Sequence, residues 1–351
     1  MDLRRVVKFK QFINQLSRVI ISFLSKVDYI TVLILFSSLF LSCRQEKSRL
    51  EVKELQISAF TEEYPDSSFF SNIKCMYFYN NFIYALDVKR RDIAVFDENF
   101  QKFHLIGKPG EGPKELGYPA TFYIESDTIY VLDGGSRSVK SFFEGEFINS
   151  YRLSSEVGTK HFFVANNNLY FSSPLDTSLY TVISKYGMYQ GKYKRFGKPF
   201  IFENGNETIM RNKRSLLLNG NFMYAVSDNL PIIEKYDIET LRKPETFDLS
   251  DIPIVKSNLS FINNQKKRPK SYYVFLEDAY IDEYNLYLLC ANLGAKYKVN
   301  TILVIALSPA MHLKDIWVLP NNIYDAFCIS SNFLYVFNSR NNLIEKIKII
   351  K

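Results

Sequence analysis

The stretch that decides the fold reads IGKPGEGPKELGYP over residues 106–119 and TIYVLD over residues 128–133. A turn rich in glycine and proline leads into a short apolar strand that ends on an aspartate, Asp133. The strand half of this unit recurs along the chain, as the repeat of a larger array does. The recurrence predicts the architecture of the protein and says little about its ligand.

Six segments share an aliphatic residue or Met, then a tyrosine, then an apolar strand. Most have a second strand before them and a third after a tight loop. Four strands repeated every ~40–50 residues are typical of a β-propeller blade, so the sequence predicts an all-β, six-bladed β-propeller with four-stranded blades. The tyrosines are Tyr84, Tyr130, Tyr170, Tyr224, Tyr287 and Tyr335.

A ring of blades must close between the two ends of the chain. The last copy ends at residues 344–350 and supplies only two inner strands and part of a third. Residues 50–55 alternate apolar and polar side chains, as a strand does. We therefore predict that an N-terminal strand within residues 49–57 completes the last blade, and that deleting this segment lowers the melting temperature by many degrees.

The first 42 residues have the composition of a secretory signal. Residues 1–28 carry six Lys or Arg, and residues 29–42 form an uncharged apolar run, shorter than the roughly 20 residues of a transmembrane helix. Cys43 follows and polar sequence begins at once. The predicted organisation is a signal peptide over residues 1–42, a short linker over residues 43–48 and the propeller over residues 49–351.

Two motifs carry a resemblance to known proteins. Residues 40–43, FLSC, resemble a bacterial lipobox, in which the cysteine becomes the lipidated first residue of the mature protein; an uncleaved anchor and a plain signal peptide are the alternatives. Residues 106–119, with Tyr130 and the segment 137–142, resemble the blade motif of NHL-type propellers. More narrowly, they resemble the six-bladed β-propeller lipoproteins of Bacteroidota.

This resemblance implies a location and a set of partners. It implies lipidation of Cys43 and attachment to the membrane through that lipid. The protein would be an outer-membrane lipoprotein of the cell envelope, facing the periplasm or the cell surface. Its partner would be an outer-membrane protein complex, in an accessory role in glycan or nutrient uptake.

Charge and cysteine usage exclude several classes of protein. The net charge is +7, of which the first 42 residues hold +4 (six Lys or Arg against two Asp or Glu), so the remainder is too weakly basic to indicate nucleic-acid binding. Beyond Cys43 the chain has Cys75, Cys290 and Cys328. An odd number argues against a disulfide framework, and the spacing matches no zinc motif. We expect these three to be buried small hydrophobic residues.

No cofactor or metal is predicted. His104, His161 and His312 are isolated in sequence and fall in different copies. The glycine-rich stretch lacks the Gly-Lys-Ser/Thr ending of a phosphate loop, and its prolines argue against a following helix, so we interpret it as a turn between blades. No Gly-x-Ser-x-Gly elbow is present, and the sequence gives no reason to pair a Cys with a His.

The loop after each tyrosine strand should lie on one face of the disc, and three of these loops carry arginine. Arg91 and Arg137 both lie seven residues after their tyrosine, and Arg340 lies five after. We predict that they form a basic rim for an anionic ligand, an acidic glycan or the carboxylates of a peptide. The alternative is that they brace the turns or are simply solvated.

The longest insertion covers residues 248–273 and is interpreted either as a solvated loop or as a flap over one channel mouth. The function that the sequence favours is a non-catalytic binding or scaffold module. A lyase or hydrolase with its site in the central channel is the alternative, and the sequence singles out no catalytic residue.

Overall fold

The computed structural model describes residues 52–64, 68–153, 160–173, 183–202, 205–264, 274–293 and 297–349. The propeller lies in a compact unit that spans Leu50–Lys351. The signal peptide, the linker and the lipidation of Cys43 concern residues outside the described ones and stay predictions. Within the described ranges, no helix has the length and apolar character needed to cross a bilayer.

Six sheets form the blades of a six-bladed β-propeller, which confirms the predicted fold class. Two strands precede the first blade, β1 (Val52–Glu54) and β2 (Ile57–Thr61). Blade 1 contains β3 (Ile73–Tyr79), β4 (Phe82–Asp87), β5 (Asp92–Asp97) and β6 (Phe103–Ile106). Blade 2 contains β7 (Pro119–Glu125), β8 (Thr128–Asp133), β9 (Ser138–Phe143) and β10 (Glu146–Arg152). Blade 3 contains β11 (Phe163–Ala165), β12 (Asn168–Ser172), β13 (Ile183–Gly187) and β14 (Tyr193–Phe196).

The last three blades follow the same order from inner to outer strand. Blade 4 contains β15 (Arg214–Asn219), β16 (Phe222–Ser227), β17 (Ile232–Asp237) and β18 (Glu245–Asp248). Blade 5 contains β19 (Leu276–Ile281), β20 (Asn285–Asn292), β21 (Lys298–Ala306) and β22 (His312–Val318). Blade 6 contains β23 (Ala326–Ile329), β24 (Phe333–Asn338) and β25 (Leu343–Lys348). The six repeated tyrosines lie on the second strand of each blade, as predicted.

The ring closes with an N-terminal strand, as predicted, but with a different one. β2 pairs antiparallel with β25 and is the outer strand of blade 6. The described residues of the predicted closing segment do not take this place, because β1 pairs in parallel with β22 at the edge of blade 5. The alternation that suggested a closing strand reflects other contacts: Leu55 is buried between blades 5 and 6, and Lys53 pairs with Asp315.

The hydrophobic core lies between the blades. Six clusters of buried residues fill the six spaces between neighbouring sheets, and each cluster takes side chains from two blades. In the space between blades 6 and 1, for example, Tyr335 and Phe337 pack with Ile83 and Phe96. This face-to-face burial of apolar side chains holds the ring together and leaves the axis free of a common core.

Two helices interrupt the strand pattern, α1 (Gly205–Arg211) before blade 4 and α2 (Pro253–Asn264) before blade 5. α2 lies in the long insertion and is packed, so the solvated-loop interpretation is wrong for this part. Val255 is buried in the core between blades 4 and 5, and the Asn258 side chain bonds to Ala291 O at 2.7 Å and to Leu293 N at 2.9 Å. Residues 265–273 lie outside the described residues.

Candidate functional site at one mouth of the channel

The innermost strands of the six blades, β3, β7, β11, β15, β19 and β23, surround the central axis. A cavity of about 310 Å³ opens at the end where these strands begin. Five of the six blades contribute to its wall, which is why no single motif in the sequence marks it. Its polar and aromatic lining residues are Asn72, Lys74, Tyr118, Thr121, Lys160, His161, Glu277, Asp278 and Asp325.

Ion pairs between blades fix most of the charged side chains in this cavity. Lys74 Nζ lies 2.5 Å from Asp325 Oδ2, joining blades 1 and 6. Lys160 Nζ lies 3.3 Å from the buried Asp228 Oδ2, joining blades 3 and 4. Burial raises the pKa of Asp228, although the charge and hydrogen bond of Lys160 oppose this rise. The cavity wall is therefore held in place from several blades at once.

His161 and Asp278 form the most buried pair at this mouth. His161 Nε2 lies 2.5 Å from Asp278 Oδ1, and the backbone N–H of Phe327 donates to Asp278 Oδ2 at 3.0 Å. Burial alone would lower the pKa of His161, but the charge and hydrogen bond of Asp278 outweigh it and raise this pKa to about 10. His161 is therefore an imidazolium cation at neutral pH.

An aromatic cluster lies behind the charged wall. The Tyr77 ring packs against His161, with centroids 6.3 Å apart, and against Tyr123 and Tyr280 at 6.0 and 6.2 Å. These three tyrosines also line a smaller cavity of about 160 Å³ toward the other end of the inner strands. The channel thus has a charged mouth and an aromatic, aliphatic one.

Two groups at the charged mouth are open to a ligand. Glu277 lines the cavity half-buried, and its carboxylate makes no hydrogen bond to any residue in the described part of the chain. Burial raises the pKa of Glu277. The Tyr118 ring is 64% exposed, while its backbone is fixed by Asp133 Oδ1, which accepts the Tyr118 N–H at 2.7 Å. Tyr118 therefore presents an exposed aromatic ring, from a fixed backbone position, beside charged groups.

The glycine-rich stretch lies between β6 and β7 and is a turn between blades, as predicted. Gly107 and Gly110 have φ values of 78° and 151°, which residues with a side chain rarely adopt. Lys140 pairs with Asp133 at 3.0 Å and donates to the carbonyl oxygens of Gly112 and Glu115. The motif thus fixes a loop to a blade and carries Tyr118 at its end.

The predicted arginines are exposed and lie outside the cavity lining. Arg91 and Arg137, with φ values of 65° and 50°, occupy matching positions in the turns after β4 and β8. The matching residue in blade 6 is Asn342, so Arg340 lies two residues earlier in its turn. The three turns belong to the consecutive blades 6, 1 and 2 and are at the same end of the strands as the cavity.

Sequence reasoning missed the residues that the structure brings together at this mouth. The sequence offers no reason to pair a Cys with a His, whereas the structure places Cys75 Sγ 3.9 Å from His161 Nδ1. One signal was available: Lys160-His161 and Glu277-Asp278 are charged pairs placed directly before, or at the start of, an apolar inner strand. Among the described residues, no group of three or more His, Cys, Asp or Glu is placed to hold a metal ion.

Comparison with known proteins agrees with the fold. A family described as a 6-bladed beta-propeller matches residues 63–227. A solved structure of a protein named as exported, from Bacteroides fragilis NCTC 9343, is 13% identical, with a TM-score of 0.57 over 86% of this chain and 99% of that one. A member of the DUF4221 family from Bacteroides vulgatus ATCC 8482 is 12% identical, with a TM-score of 0.54 over 85% and 98%.

A more distant structure is virginiamycin B lyase from Staphylococcus aureus with quinupristin, 12% identical, with a TM-score of 0.49 over 83% of this chain and 99% of that one. No curated protein matches the sequence. The chain is a six-bladed β-propeller protein. Over residues 63–227 its sequence is similar to the propeller family named above, and its fold is similar to that of the two Bacteroides proteins.

Proposed function

We propose that the protein is a non-catalytic binding module of the cell envelope that holds the end of a glycan at the charged mouth of its channel. The observation that carries this proposal is the exposed ring of Tyr118, on a hydrogen-bonded stretch of backbone, at a cavity lined by fixed charged side chains. Sugars present apolar C–H faces and many hydroxyl groups, so an aromatic face next to strong hydrogen-bonding groups suits them.

The charge of the cavity favours a ligand whose inserted part is neutral. Its lining has three cations, Lys74, Lys160 and His161, and three acids, Glu277, Asp278 and Asp325. Opposite charges in equal number give little net field for an ion, whereas they supply both donors and acceptors for hydroxyl groups. Glu277 lies near the charges of Lys160 and Lys74, but its carboxylate makes no hydrogen bond among the described residues, and it is the acceptor that we assign to a sugar hydroxyl.

The arginine turns add a second recognition element on the same face. Arg91, Arg137 and Arg340 are exposed, and no described residue hydrogen-bonds to their side chains. We assign them to acidic groups further along the glycan, because guanidinium groups bind carboxylates in a bidentate manner. An acidic polysaccharide would then place a neutral end in the cavity and its carboxylates at the rim.

Calorimetric titration with neutral and acidic oligosaccharides tests this proposal. Tyr118→Ala should weaken binding by ~10-fold or more, the loss of about 1.4 kcal/mol of contact with the ring. Tyr189→Ala is the matched control, since Tyr189 is 80% exposed in the turn between β13 and β14, at the other end of the strands. Equal affinity of the two variants would overturn the assignment, and turnover of a bound glycan would replace it with the hydrolase or lyase alternative.

The envelope location is proposed on two supports, the lipobox-like residues 40–43 and the fold shared with a protein named as exported. Lipidation of Cys43 would anchor the propeller to the membrane and keep it near an outer-membrane complex that takes up glycans. In the native host, Cys43→Ser should move the protein from the membrane fraction to the soluble fraction. A pull-down with the wild-type protein should recover outer-membrane transport proteins, and their absence would remove the uptake role.

A further inference from the structure

The three cysteines of the propeller have the same burial and different neighbours. Cys75, Cys290 and Cys328 are free thiols with exposures of 0%, 1% and 0%. Cys290 Sγ approaches only a carbonyl oxygen, that of Leu288 at 3.5 Å, and burial raises its pKa to about 12. Burial also raises the pKa of Cys328 well above its ordinary value. Among the described residues, no side-chain donor is directed at either sulfur, so we expect both to be poorly reactive thiols.

Cys75 Sγ also approaches a carbonyl oxygen, that of Phe122 at 3.7 Å, but it differs because two side-chain groups point at its sulfur as well. His161 Nδ1 lies 3.9 Å from Sγ, and the hydroxyl group of Thr121 donates to Sγ at 3.4 Å. His161 Nε2 is bonded to the Asp278 carboxylate, which accepts only, so Nε2 carries a proton. In the imidazolium form both ring nitrogens carry protons, and Nδ1–H then points its positive charge at the sulfur.

The sulfur of Cys75 faces a relay of two charged side chains. The imidazolium of His161 is the nearest charge, and Asp278 lies on its far side, where it stabilises the cation. An adjacent cation and a hydroxyl donor stabilise thiolate over thiol. The order Cys75–His161–Asp278 is the order of nucleophile, base and orienting acid in thiol chemistry.

Access limits what can react with this thiol. Thr121 and His161 both line the charged cavity, so one layer of side chains separates the sulfur of Cys75 from it. An ester or peptide carbonyl cannot reach a fully buried sulfur without opening the wall. Only a small reagent, about the size of water, suits a sulfur in this position.

We propose that Cys75 is a peroxide-reactive thiol, activated by His161 and Asp278, and that its reagent is hydrogen peroxide entering through the charged cavity. The thiolate sulfur attacks one peroxide oxygen, the O–O bond breaks, and the departing hydroxide takes the proton of His161 Nδ1 and leaves as water. Sulfur is oxidised to sulfenic acid and the peroxide is reduced to water. The new hydroxyl lies against Thr121, at the wall of the ligand cavity.

The test compares the three cysteines within one molecule. The native full chain is treated with dilute hydrogen peroxide and dimedone at neutral pH, and labelling of each cysteine is followed by peptide mass spectrometry. Cys75 should be labelled ~10-fold or more faster than Cys290 and Cys328. In the denatured chain the three rates should become equal, which would show that the fold makes the difference. Equal rates in the native protein, or labelling of all three together, overturn the proposal.

Two variants separate activation from mere accessibility. Thr121→Val keeps the shape of the side chain and removes the hydroxyl donor, so Cys75 should be labelled several-fold more slowly. His161→Gln should reduce the rate for Cys75 to that of Cys290. Unchanged Cys75 labelling in Thr121→Val, with an unchanged melting temperature, overturns the role of the donors even where the His161 variant does not fold. Neither result depends on glycan binding.

Discussion

Two buried ion pairs, one in blade 2 and one at the channel mouth, have the same chemistry and different surroundings. Lys140 and Asp133 lie 3.0 Å apart with side chains 3% and 0% exposed, and His161 and Asp278 lie 2.5 Å apart with side chains 7% and 4% exposed. Around Asp133, the remaining bonds go to the backbone of the glycine-rich turn, to the Gly135 N–H and to the Ser136 hydroxyl. Around His161, one side faces a cavity. We call the Lys140–Asp133 pair closed, because neither side chain lines the cavity, and the His161–Asp278 pair open, because both of its side chains do.

The largest expected effect comes from breaking the closed pair. Lys140→Met should lower the free energy of unfolding by about 3–5 kcal/mol, because it leaves the Asp133 charge buried without its partner and frees two carbonyl oxygens. Urea unfolding measures this loss in the free energy of unfolding. Lys114→Met, an exposed lysine of the same loop, is the control and should change stability by less than about 0.5 kcal/mol. Equal losses for the two variants would mean that the ion pair does not hold the loop.

The open pair should contribute less, and in a pH-dependent way. The pKa of His161 is raised to about 10 in the folded protein, against about 6.5 when unfolded, so its stabilising contribution is complete below pH 6.5. The contribution falls as the pH rises from 6.5 to 10 and is absent above 10. His161→Gln should therefore cost about 2–4 kcal/mol at pH 6 and much less at pH 10.

Unfolding curves of wild type and His161→Gln at both pH values measure this difference. The Lys140→Met variant is the control, because the gap that it opens should not follow the titration of a histidine. A His161→Gln gap of the same size at pH 6 and pH 10 would contradict the charged state that we assign to His161.

A smaller effect on stability is expected at Glu277. Its carboxylate is half-buried without a hydrogen-bond partner among the described residues, and burial raises its pKa. Glu277→Gln should therefore change the free energy of unfolding by less than about 0.5 kcal/mol. Glycan affinity should nevertheless fall ~10-fold, since a charged acceptor is replaced by a neutral amide. Calorimetry beside a thermal melt measures both quantities. A loss of stability without a loss of affinity would make Glu277 structural.

The arginine turns should have the smallest effect on folding. Replacing Arg91, Arg137 and Arg340 together by Ala should leave the melting temperature within about 2 °C, since all three are exposed. Binding of acidic oligosaccharides should weaken and lose its salt dependence, whereas neutral ones should bind as before. Titrations at low and high salt distinguish the two. Equal salt dependence of binding in the wild type and the variant would contradict the predicted role of the three arginines as a basic rim.

The blade pattern could be predicted because it is local and periodic. Each copy repeats a tyrosine strand and a short polar residue that starts the turn, as Asp87 does by accepting the N–H groups of Lys89 and Arg90 at 3.0 Å. The glycine-rich turn was equally readable, since its backbone needs positive φ. Such features depend on neighbours within a few residues.

The mouth could not be predicted, because it depends on residues far apart in the chain. Cys75 and His161 are 86 residues apart and His161 and Asp278 are 117 apart, and only the closed ring brings them together. The closing strand was misplaced for a related reason. β2 is exposed on nearly all its residues and shows no alternation, whereas residues 50–55 alternate for reasons found in blade 5.

Closure by β2 also sets the order in which the strands of the propeller can pair. The Ser58 hydroxyl donates to Lys346 O, 288 positions later. β2 can therefore pair only after β25, the last strand of the propeller, has been made. Until β25 has been synthesised, blade 6 has no partner for β2 and the ring has open edges. Contacts of such high sequence separation form slowly. A product truncated before residue 343 lacks β25 and leaves β2 unpaired, so an intact ring requires strands from both ends of the propeller.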